Sequence, residues 1–220
     1  MKRNFTITGL WIIFQLVCAP LLLAQDPLRF EKEVEEITAV KPANQKDIIL
    51  FTGSSTIRMW KDIQSYFPGH NILNTGFGGS QTSDLVYYID KLIVQYSPIQ
   101  IFIYEGDNDI SAGKTTIEII HASDSLVQLI RSRLGSKTDI VFITPKPSKA
   151  RWHLKEKYEA YNKALVLWSK KQYGVTVADL WTPMLDKNGI VFQDIFLADG
   201  LHMNKQGYDI WGKAIAPLLK

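Results

Sequence analysis

The sequence contains one cysteine, Cys18, among 220 residues, and this scarcity limits the chemistry open to the chain. A single thiol cannot form a disulfide framework or a metal site built from several cysteines. The formal net charge is only +3, and lysines and arginines are scattered without a basic stripe, which argues against nucleic-acid binding. The four histidines are also scattered, and no H-E-x-x-H motif occurs. The sequence therefore predicts neither a metal nor a cofactor.

The overall composition, 46% hydrophobic and 21% charged, is that of an ordinary globular protein. The N-terminal segment differs from the rest of the chain. Lys2 and Arg3 precede an apolar stretch that ends in small residues at Ala24. This layout predicts a secretory signal peptide over residues 1–24, hence an exported protein, periplasmic or secreted. The alternative is a membrane anchor formed by an uncleaved N-terminus, which Pro20 and the small-residue exit disfavour.

Cleavage after Ala24 would also change the chemistry of the mature chain. It would remove Cys18, leaving no thiol, no cysteine nucleophile and no disulfide. A lipoprotein signal would use Cys18, but Gln15 and Val17 fit a lipobox poorly. Loss of two basic residues lowers the formal charge from +3 to +1, because +3 − 2 = +1. An exported domain of this kind must be held together by its core.

From residue 25 to residue 220 the pattern predicts one three-layer α/β/α domain. Apolar runs rich in β-branched residues alternate with helix-like segments, as expected for a parallel sheet covered on both faces. The predicted strands are 47–53, 71–76, 99–106, 138–145 and 174–180. The predicted helices are 27–40, 55–66, 80–96, 114–134, 154–173 and 204–219. In such five-stranded folds, ligands bind beyond the carboxyl ends of the strands.

Two serines, Ser54 and Ser55, follow Gly53 at the end of the first predicted strand. Serine is a favourable N-cap, worth about 1 kcal/mol, so both residues could serve only to begin the next helix. A serine hydroxyl becomes a nucleophile only when a base takes its proton and an acid orients that base. The role of these serines therefore depends on the histidines.

Among the four histidines, His202 is the best candidate for that base. It lies three residues after Asp199, and a turn can bring the two side chains together. Asp199 would then accept from Nδ1 and leave Nε2 free to face a serine. His70 precedes a strand, at the wrong edge of the sheet, and His121 lies within a helix. His153 lies near a strand end but has no acid close in sequence, and an ordinary Asp-Gly turn remains the alternative for residues 199–202.

Two further strand ends offer donors for an oxyanion. The glycines of residues 75–80 allow a tight loop of backbone N–H groups, and Asn108 follows the third strand with a side-chain amide. The loop is not a dinucleotide fingerprint, because Gln81 stands where the third glycine would be. Gly, Asp and Asn are also common turn formers, so each stretch alone is weak.

Taken together and in this order, the blocks GSS (53–55), GFGGS (76–80), GDND (106–109) and DGLH (199–202) resemble the SGNH/GDSL hydrolases. The chain is especially similar to the branch that contains the catalytic subunits of platelet-activating-factor acetylhydrolase. The resemblance runs from about residue 47 to the C-terminus and implies a flavodoxin-like fold with serine esterase activity. It implies a nucleophile at Ser55, an Asp199–His202 pair, and oxyanion donors at Ser55, Gly79 and Asn108.

One position departs from the Gly-Asp-Ser pattern that names this family: Ser54 replaces the aspartate. Because Ser54 is not the nucleophile, we expect altered local hydrogen bonding with the chemistry retained. Asp107 and Asp109 are expected to brace the loop around Asn108. Arg151 and Trp152, after the fourth strand, are candidates for the substrate pocket, with an ordinary surface loop as the alternative.

The substrate is the least constrained part of this interpretation, because small loop changes redirect such a fold. The resemblance and the short loops favour a short-chain ester, above all an acetyl group on a small molecule or polysaccharide. One alternative is a lipid hydrolase of the lysophospholipase or acyl-thioesterase type. Another is a catalytically silent binding module. The sequence does not specify an oligomeric state.

Overall fold

The computed structural model describes residues 26–220, and the signal peptide predicted over 1–24 lies outside these residues. A parallel sheet of five strands has the order β2-β1-β3-β4-β5. The strands are β1 (Ile48–Gly53), β2 (Asn71–Asn74), β3 (Gln100–Tyr104), β4 (Asp139–Ile143) and β5 (Val175–Ala178). All five predicted strands are confirmed, with ends that differ by at most two residues.

Nine α-helices are present in the described part of the chain. They are α1 (Glu31–Ala39), α2 (Ser55–Arg58), α3 (Ile63–Tyr66), α4 (Thr82–Tyr87), α5 (Ile89–Leu92), α6 (Asp107–Ser111), α7 (Thr116–Leu134), α8 (Lys155–Ser169) and α9 (Lys205–Ile215). Within residues 26–220, no helix combines the length and apolarity needed to cross a bilayer.

The two faces of the sheet carry separate hydrophobic cores because successive strand residues point to opposite sides. Ile101 and Ile103 of β3 pack into a core with α1, α4, α5, α7 and α8. Phe102 and Tyr104, the intervening residues, pack into a second core with α2, α3 and α9. Both faces of the central strands are therefore buried, which confirms the predicted three-layer α/β/α architecture.

The segment 55–66, predicted as one helix, instead forms two short helices, α2 and α3. The side-chain amide of Asn74 donates to the carbonyl oxygens of Ile57 (2.7 Å) and Trp60 (3.3 Å), which a continuing helix would use for its own ladder. Trp60 itself is fully buried in the second core. A tertiary contact thus ends α2 early, and periodicity could not indicate it.

The segment 80–96 is likewise divided into α4, α5 and a 3₁₀ turn at Val94–Tyr96. A further short helix, α6, begins at Asp107 in the stretch whose composition suggested a turn. Gly106 has φ +97° and turns the chain out of β3, and the N–H of Ile110 then donates to the Gly106 carbonyl. Acidic residues in the first turn suit the positive end of a helix.

Candidate active site

Three loops at the carboxyl edge of the sheet are joined by hydrogen bonds. The N–H of Ser54 donates to the Tyr104 carbonyl at the end of β3 (3.0 Å). The N–H of Phe77, in the loop after β2, donates to the Gly53 carbonyl at the end of β1 (2.8 Å). These bonds bring the serine loop, the glycine loop and the start of α6 to one place, at the switch point where flavodoxin-like sheets bind ligands.

Gly53 is required for this close approach. Its φ is +115°, and a Cβ added there would lie 2.1 Å from the Tyr104 carbonyl oxygen. Any other residue would push β1 and β3 apart just before the serines. The turn therefore delivers Ser55 to the first position of α2, where its backbone N–H is free of the helix ladder.

The structure distinguishes the two serines. Ser54 is the N-cap residue of α2, although its side chain makes no capping hydrogen bond. The Oγ of Ser55 lies 3.0 Å from Nε2 of His202, which comes 147 residues later in the chain. The hydroxyl of Ser55 is thus directed at a base, which is the arrangement that an activated serine needs.

Asp199 fixes the ring of His202 in that position. Its Oδ2 lies 2.6 Å from His202 Nδ1, and its Oδ1 accepts the N–H groups of Leu201 and His202, each at 2.9 Å. Desolvation acts to raise the pKa of Asp199, but these hydrogen bonds outweigh it and lower the pKa to about 2. The ionised carboxylate favours the tautomer that carries its proton on Nδ1, leaving Nε2 to accept from Ser55.

Helix α9 holds the histidine loop against the serine helix. Asn204 caps α9 by accepting the N–H groups of Gln206 and Gly207. One turn later, the hydroxyl of Tyr208 donates to the carbonyl of Thr56 in α2 (2.9 Å). This contact explains how two distant segments present Ser55 and His202 to each other.

The other histidines do not contact Ser55. His70 precedes β2 at the amino edge of the sheet, and His121 is exposed on α7. His153 is exposed in the 3₁₀ turn before α8. Among the described residues, no group of three or more His, Cys, Asp or Glu side chains could hold a metal ion.

Gly79 and Asn108 lie on adjoining loops of the same edge. Gly79 has φ +68°, and the Nδ2 group of Asn108 donates to the carbonyl of the next residue, Ser80 (2.8 Å). Across residues 26–220, the backbone N–H groups of Ser55 and Gly79 have no hydrogen-bond acceptor. Three donors of the type that stabilises an oxyanion are therefore carried by neighbouring loops.

The predicted pocket residues Arg151 and Trp152 make mainly internal contacts. Arg151 donates to Asp107 Oδ1 (2.5 Å) and to Asn108 Oδ1 (3.0 Å). Trp152 stacks on Trp181, with ring centroids 6.2 Å apart. Neither contact tests whether these residues touch substrate, so that part stays a prediction.

Asp107 and Asp109 do brace α6, as expected from the sequence. Asp109 accepts from the N–H of Thr82 (3.0 Å) and pairs with Lys114 (2.8 Å). The sequence reasoning missed Lys146, which is fully buried and lies 3.6 Å from Asp107. The feature that could have indicated a buried Lys146 is its position directly after an apolar predicted strand. The sequence of this stretch by itself indicates only a polar loop.

Comparison with known proteins identifies the family of the chain. The model of the GDSL-like Lipase/Acylhydrolase family matches residues 50–210, nearly three quarters of the chain. The chain belongs to this GDSL family. Its members are acylhydrolases, so the protein is a carboxylic ester hydrolase. No curated protein matches the sequence.

Solved structures of other GDSL proteins share the fold. A Streptococcus pneumonia protein, provisionally described as a platelet activating factor, has 20% identity and a TM-score of 0.77, covering 87% of this chain and 92% of its own. A GDSL-like lipase from Bacteroides thetaiotaomicron has 16% identity and a TM-score of 0.72, with 88% and 98% covered. A carbohydrate esterase family 3 protein from Talaromyces cellulolyticus has 19% identity and a TM-score of 0.61, with 78% and 95% covered.

Proposed function

We propose that this GDSL hydrolase is a serine esterase that removes short acyl groups, acetyl above all, from O-acylated carbohydrate. The observation that carries the proposal is the continuous hydrogen-bond chain from Ser55 Oγ through His202 to Asp199, with links of 3.0 Å and 2.6 Å. A nucleophile within reach of a base that is itself oriented by a carboxylate is the recurring arrangement of serine hydrolases.

In the proposed mechanism, Ser55 Oγ attacks the ester carbonyl carbon while His202 Nε2 takes the hydroxyl proton. The carbonyl oxygen becomes an oxyanion, and the N–H groups of Ser55, Gly79 and Asn108 Nδ2 stabilise it. His202 then gives the proton to the departing alkoxide as the ester C–O bond breaks. Water, deprotonated by His202, attacks the acyl-enzyme, and release of the acid returns the proton to Ser55.

The choice of a short acyl group on a carbohydrate rests on the openness of the site. The side chains of His202 and Asp199 are 23% and 46% exposed, respectively. An edge this exposed suits a bulky alcohol such as a sugar chain, whereas a long acyl tail needs an enclosed apolar channel. The fold shared with the carbohydrate esterase from Talaromyces cellulolyticus is consistent with this choice.

Hydrolysis of p-nitrophenyl acetate, butyrate, octanoate and palmitate tests the proposal, with Ser55→Ala beside the wild type. We expect activity that is highest on acetate, fades with chain length and is lost in Ser55→Ala. Ser125→Ala is the matched control, because Ser125 is exposed on α7 and bonds only to its own helix.

Each contrary outcome has its own meaning. A preference for octanoate or palmitate would replace the carbohydrate proposal with a lipid hydrolase. Wild-type activity in Ser55→Ala would show that the nucleophile is assigned wrongly. Inactivity on all esters, including acetylated xylan or another O-acetylated polysaccharide, would contradict the proposal as a whole.

A further inference from the structure

A buried group of charged and phenolic side chains lies directly beneath Asn108. We call Asp107, Lys146, Arg151, Tyr104 and Tyr158 the Asp107 cluster. The Asp107 side chain is only 6% exposed and Lys146 is fully buried. Tyr104 donates its hydroxyl to Asp107 Oδ2 (2.7 Å), and Tyr158 donates to Oδ1. The proposed mechanism assigns no task to any of these groups.

Asp107 and Arg151 both keep their charges in this cluster despite their burial. Desolvation acts to raise the pKa of Asp107, but Lys146, Arg151 and the two tyrosine hydroxyls together lower the pKa to about 2. The pKa of Arg151 is raised, since the attraction of Asp107 outweighs the cost of its partial burial. Asp107 and Arg151 thus form an ion pair at every working pH.

A buried ion pair is a poor source of stability compared with apolar packing of similar volume. A gain in stability therefore does not explain the ion pair, and the hydrogen bonds of Arg151 indicate a different role. The Nη1 group of Arg151 is held by Asp107, while its Nη2 group donates to Asn108 Oδ1 (3.0 Å). Asp107 therefore anchors Arg151, and Arg151 in turn contacts Asn108, the residue that follows Asp107.

The amide of Asn108 has only one orientation that satisfies both of its neighbours. Arg151 can only donate, so it must face the oxygen Oδ1. The Ser80 carbonyl can only accept, so it must face the nitrogen Nδ2. One hydrogen of Nδ2 is used by Ser80, and the other has no acceptor among residues 26–220.

The guanidinium also affects the strength of that second hydrogen as a donor. A cation that bonds to an amide oxygen draws electron density from the amide, and hydrogen bonds in a chain strengthen one another. Neutral groups at the same place would orient the amide without this polarisation. The second Nδ2 hydrogen, which the proposed mechanism assigns to the oxyanion, is therefore both fixed and strengthened as a donor.

We propose that Arg151 is a positioning residue for ester hydrolysis: it fixes and polarises the Asn108 amide as an oxyanion donor. The inference rests on the proposed function and adds a residue to it. Arg151 acts through Asn108 and does not itself contact the substrate. This differs from the pocket-lining role that its place in the sequence suggested.

A double-mutant cycle on p-nitrophenyl acetate tests the proposal with Arg151→Met, Asn108→Ala and the combined variant. We expect Asn108→Ala to lower kcat by about 10²–10³-fold, the usual effect of removing an oxyanion donor. Arg151→Met should lower kcat by at least tenfold with KM nearly unchanged. The combined variant should be no slower than Asn108→Ala alone, because Arg151 has nothing left to position.

Arg133→Met is the matched control, because Arg133 is half-exposed on α7 and pairs only with Asp90 at the surface. We expect it to keep wild-type kcat and KM. Arg151→Lys is the second variant, since it keeps the charge beside Asp107 but lacks the planar fork that reaches both acceptors. It should fold with a melting temperature near wild type and still lose kcat, and it carries the test if Arg151→Met fails to fold.

Three outcomes would overturn the inference. Multiplicative losses in the combined variant would mean that Arg151 acts independently of Asn108. A rise in KM with kcat unchanged would make Arg151 a substrate-binding residue. Full kcat in Arg151→Lys would remove the need for a forked contact. Ser55→Ala is measured in the same series: if it retains wild-type activity, the proposed function has failed, whereas the results above count only when Ser55→Ala is inactive.

Discussion

Asp199 and His202 form a hydrogen-bonded pair within four residues of the chain. One carboxylate oxygen holds the backbone of the turn and the other holds the imidazole ring, so the turn and the tautomer depend on the same side chain. An Asp-Gly turn and an Asp–His pair were alternatives in the sequence, yet in the structure the turn and the hydrogen-bonded pair coexist. The turn is what makes the pair rigid.

Replacement of Asp199 by asparagine should therefore impair the base more than the fold. The amide would keep the turn through its oxygen but would present an N–H or a neutral oxygen to the ring, which favours the wrong tautomer or weakens the correct one. We expect kcat on p-nitrophenyl acetate to fall by about 10⁴-fold, the loss that the same change causes in a serine protease triad. The melting temperature should change little.

Asp186→Asn is the matched control for this change. Asp186 also closes a surface turn by accepting two backbone N–H groups, those of Asn188 and Ile190, but it has no histidine partner. It should retain full activity. Equal kcat in Asp199→Asn and wild type would show that Asp199 does not orient the base.

At the scale of residues, the sequence predicted the residues that lie in recognisable motifs, but it did not predict the contacts that support them. Ser55, Asp199 and His202 were predicted from short sequence motifs, and the structure joins their side chains by hydrogen bonds. The link between Arg151 and Asn108 spans 43 residues and depends on how β4 and α6 are placed. No local pattern encodes such a contact, so it required the structure.

At the scale of elements, the N-terminal segment acts as a strap across the glycine loop. This strap, residues 26–39, precedes the family match, which begins at residue 50. Glu33 Oε1 accepts the N–H of Gly78 (3.0 Å), and Phe30 packs edge-to-face on Phe77 (5.1 Å). On the far side of the loop, Arg29 pairs with buried Asp84 at 2.6 Å.

The contact from Glu33 should matter for rate, because Gly78 adjoins the proposed oxyanion donor Gly79. Glu33→Ala removes the acceptor that holds the Gly78 N–H, and a hydrogen bond of this type is worth about 1.5 kcal/mol, or roughly tenfold in rate. We expect kcat to fall about tenfold on p-nitrophenyl acetate. Glu33→Gln, which keeps an acceptor oxygen, should recover most of it.

Glu36→Ala separates this effect from a general weakening of the strap. Glu36 lies on the same helix but only pairs with Lys32 at the surface, 3.9 Å away. It should behave as wild type. If Glu33→Ala keeps full kcat, the strap supports the fold without setting the oxyanion loop.

Helix lengths illustrate what element-level prediction misses. Periodicity indicated helical residues over 55–66 and 80–96 correctly, but not the interruptions at Trp60 and Tyr88. Trp60 is drawn into the second core, and the amide of Asn74 takes the carbonyls that would have continued α2. Packing demands of this kind override a local preference for one continuous helix.

At the scale of the whole molecule, Glu105 is a buried acid that makes stability depend on pH. It follows β3, is 2% exposed, and accepts a hydrogen bond from Ser80 on one oxygen only. Desolvation, reinforced by Asp109, raises its pKa well above the unfolded value of 4.5. Above pH 4.5 the folded chain therefore holds a proton that the unfolded chain has released.

The sign of the effect follows from proton linkage. Between pH 4.5 and the higher folded-state pKa, the contribution of Glu105 to the free energy of unfolding falls as pH rises. Glu105→Gln removes this contribution, so its stability relative to wild type should increase with pH in that window. Urea unfolding of both proteins from pH 4 to pH 8 measures the difference. Parallel curves would show that Glu105 titrates normally.

The two ends of the described chain lie at opposite edges of the sheet, which matters for attaching the enzyme to a surface. Asp26 lies four residues, at most about 14 Å, from Phe30, which packs on Phe77 of the glycine loop. Lys220 is tied to Gln100 and Asp139, the first residues of β3 and β4. Immobilisation through the C-terminus would leave the carboxyl edge of the sheet accessible to a polymeric substrate. A bead or carrier attached at Asp26 would obstruct that edge.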